Sequence, residues 1–222
     1  MVNNTSALYK ELPYSIAKGL IKEADVVMVK GNGIFSPFLR HFQQSPYTHC
    51  GLATQYNGPD SLWEMVEFKE FKGGRTVNLE TQVNKHSGNI DIYRPISPQI
   101  LISLDTNLNV NEEVVVLNGK KVTRLMRALT GLPYGWRRIL WLVKFHLFGI
   151  RLLYSGENCM DDTPIADDLY PVCSSAVAAA FSMGFVDLIK NRSDQRTEPA
   201  DIAMSARLQY LFTIVADSPK VA

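Results

Sequence analysis

The sequence predicts an α+β protein in which a small antiparallel sheet packs against a helix. Three observations carry this prediction. Short β-branched runs bounded by glycine, proline and asparagine crowd the first half of the chain, from ADVVMVKGNG at 24–33 to NIDIYRPI at 89–96. Helical patterns crowd the second half, so the two kinds of element are segregated rather than alternating. One of those helices, begun by YPVCSSAVAAAF at 170–181, is rich in alanine and serine, and residues that small let a helix lie close to a sheet.

The elements follow in order. Leu8, Leu12, Ile16 and Leu20 recur every four residues, which predicts helical pieces over 5–23 interrupted at Pro13. Residues 24–33 read as a buried strand and 34–43 as a short helix broken near Ser36-Pro37. The stretch THCGLATQYNGPDSLWEMVEF at 48–68 reads as a hairpin turning at Asn57-Gly58-Pro59-Asp60. Residues 74–83 and 89–96 add strands. Residues 112–131 look helical in part and end on Gly131, a helix-stop signal. Over 136–154, Arg137, Lys144 and Arg151 fall seven apart on one face of an otherwise apolar helix. The cysteine helix runs to about Phe185, and a last helix is expected over 199–211.

The length of 222 residues suggests one domain spanning 1–222, with an insertion around 97–123 and a polar loop at 155–171. A net charge of +1 and the absence of a basic tail argue against a nucleic-acid partner. Cys50, Cys159 and Cys173 are odd in number and irregular in spacing, so no disulfide framework is expected and a reducing compartment is favoured. The N-terminus has no apolar signal-peptide core, which makes the cytoplasm the default location. No run of uncharged apolar residues is long enough to span a bilayer, because the nearest, 139–153, contains Lys144 and Arg151. Nothing in the pattern asks for a metal or another cofactor.

The chemistry centres on Cys173. It stands at the first turn of a helix, preceded by Pro171 and followed by Ser174 and Ser175. The helix dipole and the free N–H groups of that turn favour a thiolate. Cys173, Val177, Ala180 and Phe181 form one stripe, however, and a buried core cysteine would show the same stripe. A nucleophile also needs a base and a group that orients the base. Of four histidines, His49 begins a strand and shares one face with Gly51 and Ala53, small residues that let another element approach. Cys50 points the other way and reads as core. The orienting group is sought on the second hairpin strand, where Glu64 and Glu67 have opposite parity. Glu64 alternates with Leu62, Val66 and Phe68, an apolar set taken to point inward, and is the expected partner; Glu67 takes its place if a bulge shifts the register. Tyr47 could line the site or simply pack.

Three segments in order, ADVVMVKGNGIFSPFLRHFQQSPYTHCGLAT, ALTGLPYGW and YPVCSSAVAAAF, resemble the circularly permuted NlpC-type branch of the papain-like superfamily, the YiiX-like group, related more distantly to the lecithin:retinol acyltransferases. The resemblance implies a permuted papain-like fold, with Cys173 as nucleophile, His49 preceding it in the chain as base, and a third member on the following strand, matched here to Glu64. It implies a cysteine hydrolase acting on an amide bond, most often in a cell-wall-type peptide. In such a mechanism Tyr47 and Ser174 would stand near the substrate, and the N–H groups of Cys173 and Ser174 at the helix start would bind the oxyanion. The chain departs from the pattern at Ser175, where relatives often have glutamate, and at Cys50, where they usually have valine or isoleucine.

Two other functions fit the residues. The basic face of 136–154 could rest on an anionic membrane surface, which would suit a lipid-directed thiol acyltransferase or esterase; a core helix with snorkelling basic ends gives the same pattern. The scaffold could also serve as a non-catalytic binding module. The oligomeric state does not follow from the sequence.

Overall fold

The computed structural model describes residues 11–31, 45–55, 62–86, 90–96, 100–101, 114–115, 117–136, 170–184, 186–189 and 193–217. Its centre is a seven-stranded sheet in the order β1-β9-β6-β2-β3-β4-β5. The strands are β1 (Glu11–Pro13), β2 (Val26–Val29), β3 (His49–Gln55), β4 (Trp63–Lys69), β5 (Gly73–Asn78), β6 (Ile90–Pro95) and β9 (Leu208–Val215). A separate short pair joins β7 (Ile100–Leu101) and β8 (Val114–Val115). The helices are α1 (Tyr14–Ala17), α2 (Leu79–Lys85), α3 (Gly119–Ala128), α4 (Cys173–Met183) and α5 (Pro199–Ala203). The class is α+β, as expected. The sheet is larger than expected and mixed, because β1 runs parallel to β9 while the other pairs are antiparallel.

Both faces of the sheet are covered. Val26, Met28, Cys50, Leu52, Val66 and Phe68 pack under Val122 and Met126 of α3 and Ala176, Val177, Ala180 and Phe181 of α4. Val27, Val29, Ala53, Met65, Ile90 and Ile92 pack against Leu12, Tyr14 and Ala17 on one side and Leu79 and Val83 of α2 on the other. This double burial explains why β2 is four apolar residues in a row, all buried. The predicted small-residue contact of α4 is present: Ala176 and Ala180 are fully buried beneath it.

Several predicted elements need correction. Residues 11–13 form β1, and the helix before β2 is only Tyr14–Ala17, because Pro13 stands at its N-cap position in an extended conformation. The strand expected over 74–83 stops at Asn78, whose side chain accepts a hydrogen bond from the Thr81 N–H (2.8 Å) and starts α2. Asn118 does the same for α3 through the Lys121 N–H (3.1 Å). The helix expected over 199–211 ends at Ala203, and the β-branched and aromatic run LQYLFTIV becomes β9. The predicted helix at 34–43, the hairpin turn at 57–60, most of the basic stretch at 136–154 and the acidic part of the loop at 155–169 lie outside the described residues, as do parts of 97–123. Among the described residues no helix is long and apolar enough to cross a membrane.

One connection bears on the site. The segment 129–136 after α3 is pinned to β5, with the Gly74 N–H donating to Leu132 O (2.9 Å) and the Gly131 N–H to Gly74 O (2.8 Å). Its far end is pinned to the approach to α4 by the Gly135 N–H and Pro171 O (3.1 Å). Gly73 makes this possible: its φ is +69°, and a Cβ there would sit 2.2 Å from Leu132 O. The result is that Tyr134 packs beside the first turn of α4 in the core that holds Cys173.

Candidate active site

The site forms where the first turn of α4 meets the start of β3. Cys173 is the first residue of α4 and retains 5% exposure. The turn is locked from below by Ser175, whose hydroxyl accepts from the Val172 N–H (2.9 Å) and donates to Val172 O (3.2 Å). Ser175 thus does in this chain what a capping side chain three residues into a helix does generally. The N–H groups of Cys173 and Ser174 belong to the first turn, which no helical carbonyl can satisfy.

His49 opens β3 and is buried, with 3% exposure. Its Nε2 is held by Glu67 Oε2 at 2.6 Å. Its Nδ1 meets no partner at regular hydrogen-bond geometry, so its contact with the Cys173 sulfur is a loose one in which charge contributes most. Burial alone would lower the His49 pKa, but the Cys173 sulfur, by charge and hydrogen bond, and Glu67 together raise it to about 10. The imidazole is therefore charged and bridges a sulfur and a carboxylate.

Glu67, fully buried, is where the register matters. β3 and β4 pair so that Gly51 faces Glu67. Gly51 has no side chain, and a Cβ there would lie 2.5 Å from Val66 O. The Glu67 carboxylate is free to lean diagonally over Gly51 to His49, two residues along β3. Its other oxygen, Oε1, accepts from Arg75 Nε (2.8 Å) and Nη2 (2.5 Å) of β5. Burial pushes the Glu67 pKa up, but His49 and Arg75 outweigh it and bring it down to about 2.

The second cysteine is part of the same cluster. Cys50 points from β3 into the core under α4, and both Cys50 and Cys173 are free thiols. Burial pushes the Cys50 thiol well up, so it stays protonated. It can then donate to the Cys173 sulfur. That hydrogen bond lowers the Cys173 pKa most; burial opposes it, and the charge and hydrogen bond of His49 add to it, leaving the thiol well below its ordinary value. Cys50→Ala is therefore expected to raise the Cys173 pKa, while Cys50→Ser, which keeps a donor, holds it nearer the wild-type value. The pH dependence of Cys173 alkylation measures both.

The structure brings Cys173 and His49 together. It places Glu64 elsewhere: Glu64 faces Thr54, farther along β3, and pairs with Arg127 of α3. The carboxylate beside His49 is Glu67, and it reaches there in regular register without a bulge between β3 and β4. Tyr47 is buried, its hydroxyl donating to Asp91 Oδ2 (2.5 Å) and lying 2.9 Å from the Tyr93 hydroxyl. It braces the strands beside the site. The Ser174 hydroxyl is committed to Thr197 O (2.6 Å), so only its backbone N–H is available to a substrate. Arg75 and Cys50 are the site residues that sequence reasoning missed. Arg75 is readable once Glu67 is paired with it across β4 and β5. For Cys50 the signal was its place next to His49 on a strand that a cysteine-bearing helix covers.

No protein-family model matches this sequence. The comparison with curated proteins finds no match either. Among solved structures the chain is similar to the crystal structure of metalloprotein yiiX (DUF1105) from Escherichia coli O157:H7, with 11% identity, a TM-score of 0.55, and coverage of 89% of this chain and 98% of that chain. At that identity the likeness is one of architecture: the chain has a YiiX-like α+β fold.

Proposed function

We propose that this protein is a cysteine hydrolase of the permuted papain-like kind, acting on an amide bond, with Cys173 as nucleophile, His49 as acid and base, and Glu67 as the group that orients His49. The observation that carries the proposal is the buried line from the Cys173 sulfur through His49 to Glu67, which fits a thiolate–imidazolium pair steadied by a carboxylate.

In this reading the Cys173 thiolate attacks the carbonyl carbon of the substrate. The developing oxyanion takes hydrogen bonds from the N–H groups of the first turn of α4. His49 delivers its proton to the leaving nitrogen, which departs as an amine and leaves an acyl group on Cys173. His49, now neutral, takes a proton from water as that water attacks the acyl-enzyme, and the thiolate returns. The resemblance of the sequence to NlpC-type enzymes favours a cell-wall-type peptide as substrate.

The structural neighbour is called a metalloprotein. The residues here do not suit a metal centre: among those described, no three His, Cys, Asp or Glu side chains are grouped to hold one, and His49 Nε2 is taken by Glu67.

The test is alkylation by iodoacetamide at mildly acidic pH, with the modified cysteines mapped by mass spectrometry. The proposal expects Cys173 to react faster than Cys50 and Cys159, and incubation with peptidoglycan fragments to leave an acyl adduct on Cys173. Equal, slow reaction at all three cysteines would contradict it and favour a binding module.

A further inference from the structure

Glu67 has two oxygens and two partners, and the partner that is not His49 is Arg75. The Arg75 guanidinium presents Nε and Nη2 to a single oxygen, Oε1, at 2.8 and 2.5 Å. Oε2 is left to His49 at 2.6 Å. The carboxylate lies in the interior while Arg75 remains 27% exposed on β5. A buried carboxylate with one partner could rotate or take up the proton of His49; a fork of two donors on one oxygen blocks both. Arg75 reaches Glu67 by cross-strand register, since the two residues face each other in the β4–β5 ladder.

We propose that Arg75 is a positioning residue of the catalytic centre, extending the line Cys173–His49–Glu67 by one member and acting through Glu67 to hold the proton on His49. This rests on the hydrolase reading for its catalytic meaning, but the arrangement itself can be tested without turnover. An ordinary cross-strand ion pair between β4 and β5 would contribute to stability and leave the chemistry of Cys173 alone.

The groups that face the site are Cys50 of β3, Cys173 of α4, Tyr134 of the segment before it, Glu70 following β4, and Arg75 of β5. Among the described residues of this cluster, Arg75 is the cation apart from His49. Removing a cation raises the pKa of every neighbour, so loss of Arg75 moves the Cys173 thiol toward higher pH. Arg75→Gln is expected to shift the pH profile of Cys173 alkylation by iodoacetamide upward by ~0.5 unit or more. Arg75→Lys keeps the charge and loses the fork, so its profile stays near wild type. In NMR spectra, the His49 Nε2–H held against Glu67 is expected as a slowly exchanging downfield resonance. Arg75→Gln should lose or broaden it, Arg75→Lys should weaken it, and added guanidinium ion should restore it in the glutamine variant.

An Arg75→Gln protein with an unshifted alkylation profile and an unchanged His49 resonance overturns the proposal. If that variant does not fold, an unchanged resonance in Arg75→Lys overturns it equally. A wild-type Cys173 that alkylates no faster than an ordinary thiol overturns the hydrolase reading instead, and the His49 resonance then still decides whether Arg75 positions Glu67.

Discussion

Replacing His49 with alanine is expected to slow alkylation of Cys173 at mildly acidic pH on the order of a hundredfold or more. The reason lies in what keeps a buried sulfur charged. Cys173 is 5% exposed, and burial works against its thiolate. Cys50 supplies a neutral donor, and His49 supplies the cation. Without that cation the thiol returns toward or above its ordinary value, and reactivity appears only in alkaline solution. In wild type the imidazolium persists until pH approaches about 10, so the reactive plateau should span neutral pH. A rate and pH profile of His49→Ala equal to wild type would remove the ion pair from the account. His49→Ala should be compared with Tyr47→Phe, which alters a hydroxyl bonded to Asp91 and should leave the profile in place.

Glu67→Ala is expected to have the largest effect on stability, about 3–5 kcal/mol, because it leaves His49 and Arg75 facing each other across a buried space with no anion between them. Glu64→Ala should cost about 1 kcal/mol or less, since its pair with Arg127 is partly open to solvent. Urea unfolding at neutral pH measures both. The pH dependence has a defined sign. Glu67 is lowered to about 2 by His49 and Arg75 against its burial, so its contribution is present above the usual carboxylate range and is lost as pH falls through about 2. His49 is raised, so its contribution is full below the ordinary histidine value and is lost as pH rises through about 10. The wild type should therefore be most stable between the usual carboxylate range and the ordinary histidine value, declining on either side toward about 2 and about 10, and Glu67→Ala should lose the acid limb of that curve. Equal costs for the Glu64 and Glu67 variants would contradict the assignment.

The contrast between these two glutamates shows how far the sequence could be read. Cys173 was legible because a cysteine at the head of an alanine helix is a local pattern. His49 was singled out because the small residues on its face would admit a helix, yet α4 covers the opposite face, that of Cys50 and Leu52, and Ala53 lies in the other core. The third member depended on a sheet register that local patterns do not determine. Glu64 was preferred because it shared a face with Val66 and Phe68, on the premise that only one face of the sheet is buried. Both faces are buried here, by α3 and α4 on one side and by α1 and α2 on the other. Apolar neighbours therefore no longer mark the face that carries the histidine. The pair Gly51 and Glu67 does mark it, since glycine opposite glutamate opens the diagonal to His49.

The fold was legible in the same uneven way. The β3–β4 hairpin and α4 came from strong local signals. The strand β9 was hidden behind PADIAMSA, a helical start that ends after one turn, and β1 was hidden behind a four-residue recurrence that Pro13 interrupts. In both places a partner strand distant in sequence decides the conformation: β1 is strand only because β9 lies beside it. Arg75 was silent for a related reason, because its partner is known only once β4 and β5 are in register.

The nucleophilic role of Cys173 depends most directly on its charge state at rest. The ultraviolet absorbance of its thiolate, taken as the difference between wild type and Cys173→Ser across a pH titration, measures it without any substrate. The expected result is a thiolate step well below the ordinary cysteine value, moved upward in both His49→Ala and Cys50→Ala. A difference spectrum whose only step lies at or above that ordinary value would show a neutral, buried sulfur, and would contradict the nucleophile assigned to this fold.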